Sequence, residues 1–528
     1  MIHLKNYHGS ITDTIHGLIK ISDIEKWFLF QKPFSRLRNI RQNTFLYYVF
    51  PSANHSRFEH SIGVMYLASE VFRHCLLNFD NGQFRSIKHE VIFDGKFTFF
   101  DLRAELDGIT GSEPDESMGI LLQELRLAGL LHDVGHGPLS HFFDNYAITR
   151  EQFLNLLRSD ENLKDYEDAF MKYFGEDLTS QVEHEEISCM FILDMVNDLK
   201  KENDENPDKF IDEISSVIKR IDGMKIVKMI NPKIPFPNIK IGDKDITDFL
   251  SSIISSDPID ADRMDYFLRD SYYAGVKYGV YDLSRIKTSF MAVESENKVY
   301  LGLKQSGIDS IKRFIESRYH LFNQIYMHKT NRAANTMLDY CSENIDSIKI
   351  PTDDYKQFKQ FYWENSDEIF LKKTLMGKIK TDKKADFEDL LRRRVWKRIY
   401  EMKIWTEPIR NEEEKKKLKA IFKKIDSKLK SKTDIVARLD TYANSPFKEP
   451  HKTELRLIRK QSDKKYFLDK DWKSVNKDFI SMDYDVYLIK IFVKRNFSSS
   501  SDFLKKKSNI LSVISDELKE LQDFKYTF

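Results

Sequence analysis

Residues 127–144, LAGLLHDVGHGPLSHFFD, place His132, Asp133, His136 and His141 within ten positions of one another. Imidazole offers a borderline nitrogen ligand and carboxylate a hard oxygen. A mixed His/Asp set therefore suits a divalent ion that keeps open positions for water and phosphate oxygens. An adjacent His-Asp pair reaches one cavity only if the backbone bends there, and Gly135 and Gly137 make bending cheap. The dipeptide alone occurs by chance in many proteins. The whole run HDVGHGPLSH is far more specific, because histidines that only satisfy a core rarely cluster with two glycines and a proline.

Two further ligands must come from elsewhere in the chain. His60, in NHSRFEHSIG, stands at the start of an apolar-faced helix. Asp262 lies in SSDPIDADRMDYFLRD, where helical spacing puts Asp262, Tyr266, Arg269 and Asp270 towards one side and Met264, Phe267 and Leu268 towards the other. Such a stripe presents chemistry to a cleft. Read alone, Asp262 fits better an N-cap, with Tyr266 covering the edge of a core.

The elements that must position these groups are mostly helices. Helical patterns run over 59–79, over the strongly apolar 118–131 that ends at the His-Asp pair, over 184–195, over 258–273 with Pro258 at its first turn, and over 306–340, the longest. Alternation around Asp94-Gly95 predicts a hairpin over 87–100. Beyond Cys341 the texture changes: lysine-rich helical segments (382–402, 411–431) precede short apolar strand candidates at 454–459 and 486–493. The expected fold is mainly α, with a helical catalytic core over 1–345 and a smaller α+β lobe over 346–528 that serves packing and oligomer contacts.

At 528 residues the chain is too long for one compact core. Lys+Arg (84) and Asp+Glu (83) nearly cancel, so no global field holds a polyanion, and nucleic acid is disfavoured rather than excluded as a partner. A small anion in a local basic pocket is compatible with that balance. No stretch approaches the roughly 20 apolar residues of a membrane span, and the N-terminus lacks the pattern of a secretory signal. Cys75, Cys189 and Cys341 have no paired spacing, as expected of reduced thiols in a cytoplasmic protein.

Taken in order, RLRNIRQ (36–42), YYVFPSANHSRFEHSIGV (47–64), LLHDVGHGPLSHFFD (130–144), HEEIS (184–188), DPIDADRMDYFLRD (257–270) and RYHLFNQIYMHK (318–329) resemble the successive motifs of HD-domain deoxynucleoside triphosphate triphosphohydrolases. The resemblance is strongest to the branch holding the vertebrate antiviral enzyme's catalytic core and its bacterial relatives. Asp13-Thr14-Ile15-His16-Gly17 fits that branch's opening D-P-I-H-G, with threonine for proline.

The resemblance implies an HD-superfamily core that hydrolyses dNTP at the α-phosphorus, releasing deoxynucleoside and intact triphosphate. It implies a divalent metal (Mn, Fe, Mg, Zn or Co) on His60, His132, Asp133 and Asp262. A catalytic acid–base set of His136, His141, Asp144 and His184 follows, with His141 protonating the leaving 5′-oxygen and Asp144 orienting it. Arg57, Arg263, Arg318, Tyr326 and Lys329 are the implied phosphate contacts, with Arg318 and Lys329 on one face of the long helix. Gln42, Tyr266 and Asp270 are the implied sugar contacts. A homo-oligomer, dimer or tetramer, and a role in dNTP balance or in depleting dNTPs against phage, also come with it.

Departures accompany the match. Phe322 replaces a histidine, Asn43 an aliphatic residue and Arg263 a lysine. Phe30 stands where the vertebrate enzyme reads guanine with a carboxylate in its activating site, and a phenyl ring accepts no such hydrogen bond. Arg38 and its basic neighbours are left as candidates for a different regulatory nucleotide. The same metal ligands would serve a phosphohydrolase or phosphodiesterase acting on another nucleotide or on single-stranded nucleic acid. A nucleotide-binding regulator with an idle site is the non-enzymatic alternative.

Overall fold

The computed structural model describes residues 8–80, 98–100, 114–343, 345, 348–406, 412–433, 435–445, 456–462, 465–469 and 485–522. The fold is mainly α, a helical core with a small α+β lobe. A hairpin of β1 (Gly9–Asp13) and β2 (Gly17–Ile21) leads into α1 (Asp23–Phe30), α2 (Arg57–Asp80), α3 (Pro114–Leu131), α4 (His184–Glu205) and α5 (Ala261–Ala274). Strands β3 (Phe290–Ser295) and β4 (Lys298–Lys304) precede α6 (Ile308–Leu321) and α7 (Lys329–Ser342).

Helix α3 carries Leu125, Leu127, Ala128, Leu130 and Leu131, all fully buried, so apolar side chains run round it and it lies inside the core. It is tied to α1 by charge. Ser22 and Glu25 form a capping box at the start of α1. The buried Glu25 carboxylate also accepts from Arg126 Nε at 2.6 Å, Arg126 Nη2 at 2.8 Å and Gln123 Nε2 at 2.8 Å.

The next residue, Glu124, has no such partner. Among the described residues it accepts only the Asp222 N–H, at 2.9 Å, and burial pushes its carboxyl up to about 7. A carboxyl raised on folding is protonated in the folded state and ionised in the unfolded state between 4.5 and about 7, so stability falls as pH rises through that window. The accumulated loss is about 3 kcal/mol above it at most. Glu124→Gln keeps an acceptor oxygen without the charge. Its urea midpoint is expected to match wild type at pH 4.5 and to exceed it at pH 8; identical midpoints at pH 8 would contradict the buried-carboxyl account.

Three sequence expectations need correction. The helix read from Pro258 begins at Ala261, with Asp260 as N-cap accepting from Arg263 N–H at 2.7 Å; Pro258 precedes it. The single long helix over 306–340 is broken into α6, a π-turn (Phe322–Tyr326) and α7, which His328 caps. Arg318 and Lys329 therefore do not share a helix face. The helix read over 382–402 ends at Leu391, and the chain from Lys397 to Thr406 is a strand, β5. The hairpin read over 87–100 lies outside the described residues, except that Thr98 and Phe99 pair with β3.

The main apolar cluster continues past residue 345 through Phe358, Tyr362, Phe370 and Phe387 to Trp396. A second begins at Ile399. It is built on an antiparallel sheet, in which β5 and β6 (Ala437–Asn444) flank β7 (Asp485–Val493). The alternation of β7 divides its faces. Ile489, Ile491 and Val493 meet α8 (Glu412–Ser431), α9 (Ser500–Val513) and α10 (Ser515–Gln522) through Leu418, Ile421, Ile425, Ile510 and Leu521. Val486 and Leu488 turn the other way, against Met327 and Tyr326. The lobe thus backs the broken helix that borders the candidate site.

Candidate metal and acid–base site

His60 is on the first turn of α2, His132 and Asp133 follow the last residue of α3, and Asp262 is on the first turn of α5. The three helix ends converge. His60 Nε2 lies 3.0 Å from Asp262 Oδ1, and His132 Nε2 lies 3.8 Å from the same oxygen. Asp133 Oδ1 is 3.4 Å from His132 Nε2, and its Oδ2 is 3.7 Å from His60 Nε2. The capping role open for Asp262 is taken by Asp260, which leaves Asp262 aimed at the histidines.

These groups fit a divalent ion. His60 Nδ1 faces Asp265 Oδ2 at 2.8 Å, and His132 Nδ1 faces the Gly129 carbonyl at 2.9 Å. Both partners only accept, so each Nδ1 carries a proton and each Nε2 is the atom left to take a second proton or a metal ion. Both Nε2 atoms are buried without a hydrogen bond. Burial opposes charging His60, yet Asp262 and Asp265 raise it to about 10. Burial likewise opposes ionising Asp262, while His132 and His60 hold its carboxyl well below the usual range. The cluster demands a positive charge at its centre, which a proton or a metal ion can supply.

A second group lies beside the first. His136, His141 and His184 each bring one ring nitrogen within 4.8 Å of the others. Asp133 stands between the groups, with Oδ1 also 3.4 Å from His136 Nε2. The His136 and His184 rings stack at 3.6 Å between centroids. Burial, Arg57 and His184 hold His136 well below the usual histidine range, so it is neutral. His141, with 71% of its side chain exposed, sets Nδ1 3.2 Å from Asp144 Oδ2. Asp144 also lies 3.6 Å from His184 Nδ1. Burial works against ionising Asp144, but the two histidines hold it at about 2.

The turn joining the groups is built differently from the sequence expectation. Gly135 and Gly137 do not have positive φ; Leu139 (φ 65) and Ser140 (φ 55) do. Left-handed backbone at non-glycine residues costs about 1–3 kcal/mol each. Here it is held by Leu139 N–H on Asp367 Oδ1 at 2.7 Å, Thr44 Oγ1 on the Leu139 carbonyl at 2.9 Å, and Ser140 Oγ on the Arg41 carbonyl at 2.8 Å. Arg36 clamps the turn from below, donating from Nη2 to the Val134 and His136 carbonyls at 2.7 Å each.

Gly135 is required for close approach: a Cβ there would meet the His184 carbonyl oxygen at 2.2 Å and Ser188 N at 2.3 Å. Both are backbone atoms of α4. Gly135→Ala is expected to force α4 off the turn, costing about 1–3 kcal/mol in urea denaturation and reducing metal uptake; unchanged values of both would contradict the close contact.

The structure distributes the other sequence candidates unevenly. Arg57, buried, donates through Nη1 to Asp133 Oδ2 and through Nε to Ser140 Oγ at 2.8 Å. Tyr266 is 6.4 Å, ring to ring, from His60. Asp270 is buried and accepts from Tyr326 OH and from Asn43 Nδ2 at 3.1 Å, with His55 Nε2 at 2.6 Å. Gln42 is half-buried, and its Oε1 has no hydrogen-bond partner. Arg263 is bound to the Ser256 carbonyl and Asp260, and Arg318 to the Ser445 carbonyl in the lobe and over the Phe322 ring at 4.6 Å.

Lys329 is exposed on α7 and Arg38 is exposed over the Phe58 ring at 3.7 Å, so neither is brought to the metal cluster by a described contact. The exposed Phe30 is in α1. Arg269, read from the sequence on the cleft side, instead turns inward to Asp265 and Asp13. Asp265, His55 and Arg36 escaped the sequence reading; the i+3 spacing of Asp265 from Asp262 was the available signal.

No protein-family model matches the chain. It is 29% identical over 336 residues to deoxynucleoside triphosphate triphosphohydrolase SAMHD1 of Gallus gallus, covering 63% of this chain and 45% of that protein. It is 25% identical over 410 residues to the SAMHD1 homolog of Dictyostelium discoideum, covering 76% of this chain and 62% of that protein. An uncharacterized protein of Methanocaldococcus jannaschii is 28% identical over 328 residues, 62% of this chain and 48% of its own length. The chain thus spans between about half and three fifths of the curated relatives it matches. Its fold is similar to the crystal structure of a hypothetical protein from Aquifex aeolicus, with a TM-score of 0.56 and 20% identity over 95% of this chain and 99% of that one. No helix among the described residues is long and apolar enough to cross a membrane. By these matches, the chain is related to the HD-domain deoxynucleoside triphosphate triphosphohydrolases.

Proposed function

We propose that this chain is a metal-dependent dNTP triphosphohydrolase that cleaves dNTP into deoxynucleoside and inorganic triphosphate. The observation that carries the reading is the pairing of two sites. The unpartnered Nε2 atoms of His60 and His132 face Asp262, and a separate His136/His141/His184 group with Asp144 lies across Asp133. The names of the relatives supply the substrate class. A metal ion on His60, His132, Asp133 and Asp262 would supply Lewis-acid stabilisation of the α-phosphoryl oxygen and acidify water.

The chain's own residues do the rest. Arg57 holds the Asp133 carboxylate in place and adds positive charge beside the phosphate position. His141, exposed and supported by Asp144, can give a proton to the 5′-oxygen as the ester bond breaks. Tyr266, beside His60, would crowd a 2′-hydroxyl, Asp270 and Gln42 would read the sugar, and Tyr326 and Lys329 would join the phosphate contacts. Arg263 and Arg318, which already donate from Nη1 to the Ser256 and Ser445 carbonyls, are further phosphate contacts of the proposal. An oligomer and a regulatory nucleotide near Arg38 belong to the same proposal.

The test is anion-exchange chromatography of reactions with each dNTP and NTP in Mn²⁺ or Mg²⁺, beside His132→Ala/Asp133→Ala. Deoxynucleoside and intact triphosphate, absent with the variant, are expected. Monophosphate or pyrophosphate would keep the metal site and discard the bond assigned to it. Silence with single nucleotides and with mixtures would replace the enzyme by a nucleotide-binding regulator.

A further inference from the structure

The motif Asp13-Thr14-Ile15-His16-Gly17 has no task in the chemistry above, yet the fold places it directly behind the metal ligands. β1 and β2 pair from Gly9↔Ile21 to Asp13↔Gly17, leaving a three-residue loop. Gly17, at φ +71, closes it in the left-handed region where glycine is favoured. Asp13 Oδ1 accepts the N–H groups of Ile15 and His16, both at 2.8 Å, so the loop is preformed by its own side chain. Asp13 Oδ2 accepts from Arg269 Nη1 at 2.8 Å, which fastens the loop to α5.

The loop aims one side chain. His16 Nε2 lies 2.7 Å from Asp265 Oδ1, and Asp265 Oδ2 lies 2.8 Å from His60 Nδ1. The side chains of His16, Asp265 and His60 are 1%, 0% and 0% exposed. Tyr66, on α2, stands against the His16 ring at 5.2 Å between centroids. A carboxylate can only accept, so both imidazoles donate to it. This fixes the His60 tautomer that leaves Nε2 free for a metal. Arg269 grips the same carboxylate through Nε at 2.8 Å and Nη2 at 2.9 Å, but it comes from the helix that carries Asp265. His16 is the donor that comes from a different part of the chain.

We propose that His16 is a positioning residue for the metal ligand His60, acting through Asp265, and that the N-terminal hairpin is therefore part of the metal site. The inference rests on the reading of His60 as a ligand but requires no nucleotide chemistry. Hydrogen-bonding partners behind a ligating histidine typically change metal affinity about 10–100-fold when removed.

The experiment is equilibrium dialysis of the metal-depleted 528-residue protein against Mn²⁺, for wild type, His16→Leu, His16→Phe and His16→Gln, with bound metal measured by elemental analysis. Thermal melts of the metal-depleted proteins accompany it. The two variants without a donor are expected to bind Mn²⁺ about 10–100-fold more weakly. Glutamine, which can still donate an N–H to Asp265, is expected to recover most of the affinity. The use of two donor-free variants guards against misfolding of either. Wild-type affinity in His16→Leu or His16→Phe overturns the proposal, as does equal weakening in all three variants that tracks a common fall in melting temperature. Failure of the wild type to bind Mn²⁺ removes the metal reading of the site along with it. Tight wild-type binding without dNTP turnover removes only the proposed reaction.

Discussion

Asp262→Ala is expected to give a folded protein that retains no stoichiometric divalent metal and turns over dNTP about a thousandfold more slowly. The Asp262 side chain is 32% exposed, so its loss opens no deep cavity. Truncation also removes a carboxylate from a metal-free cluster whose other members, Asp133 and Asp265, already satisfy Arg57, Arg269 and His16. What is lost is the oxygen on which both free imidazole nitrogens converge, at 3.0 and 3.8 Å. A bound metal contributes several kcal/mol to transition-state charge stabilisation, and about 4 kcal/mol corresponds to about a thousandfold. Elemental analysis of the dialysed variant and the chromatographic assay measure the two effects separately. Full activity with full metal content would remove Asp262 from the ligand set. Full metal with lost activity would move it to substrate contact.

How much of this site was legible in the sequence depends on whether the signal was local. The run from His132 to His141 could be read directly, because its unusual composition and its spacing are properties of one segment. Asp262 was ambiguous for a physical reason: Asp260 and Asp262 both stand at a helix start, and only cap geometry separates them. Asp260 accepts from Arg263 N–H, and this leaves Asp262 for the cleft. Asp265 was missed and Arg269 misread because their partners, His16 and Asp13, are about 250 residues away in sequence. On a helical wheel, a buried ion pair and an exposed polar stripe look alike.

The fold failed to show where a local period was imitated. β5 buries Ile399, Met402 and Ile404. The pairing of β7 with β5 slips between Ile491 and Phe492, which face Tyr400 and Arg398, so Ile399 is an extra residue. A bulge of this kind breaks the period of two and leaves an apolar spacing of three, the helical signal. The break in the helix read over 306–340 had no breaker residue to announce it. His328, which caps α7 by accepting from Thr330 N–H, is recognisable only once the π-turn before it is seen.

Arg269→Met is expected to be the most destabilising single substitution near the site, by about 3–5 kcal/mol. Arg269 is fully buried, and its guanidinium meets Asp265 through Nε and Nη2 and Asp13 through Nη1. Methionine fills comparable space, so packing changes little; the cost is the lost guanidinium, which leaves the buried Asp265 carboxylate to the His16 and His60 imidazoles and Asp13 to the Ile15 and His16 N–H groups. Urea denaturation of metal-depleted protein measures it, and a midpoint within error of wild type would refute the buried-network account. Adding Asp265→Leu to Arg269→Met separates stability from function. Removing the stranded charge should restore part of the lost stability, because buried ion pairs are replaceable by apolar groups of similar size. The same double variant also removes the acceptor behind His60 Nδ1, so metal affinity should stay low while stability recovers. If both recover together, the network serves only to hold α5 in place. If they part, the desolvation cost of Asp13, Asp265 and Arg269 is borne to keep one imidazole facing the metal position.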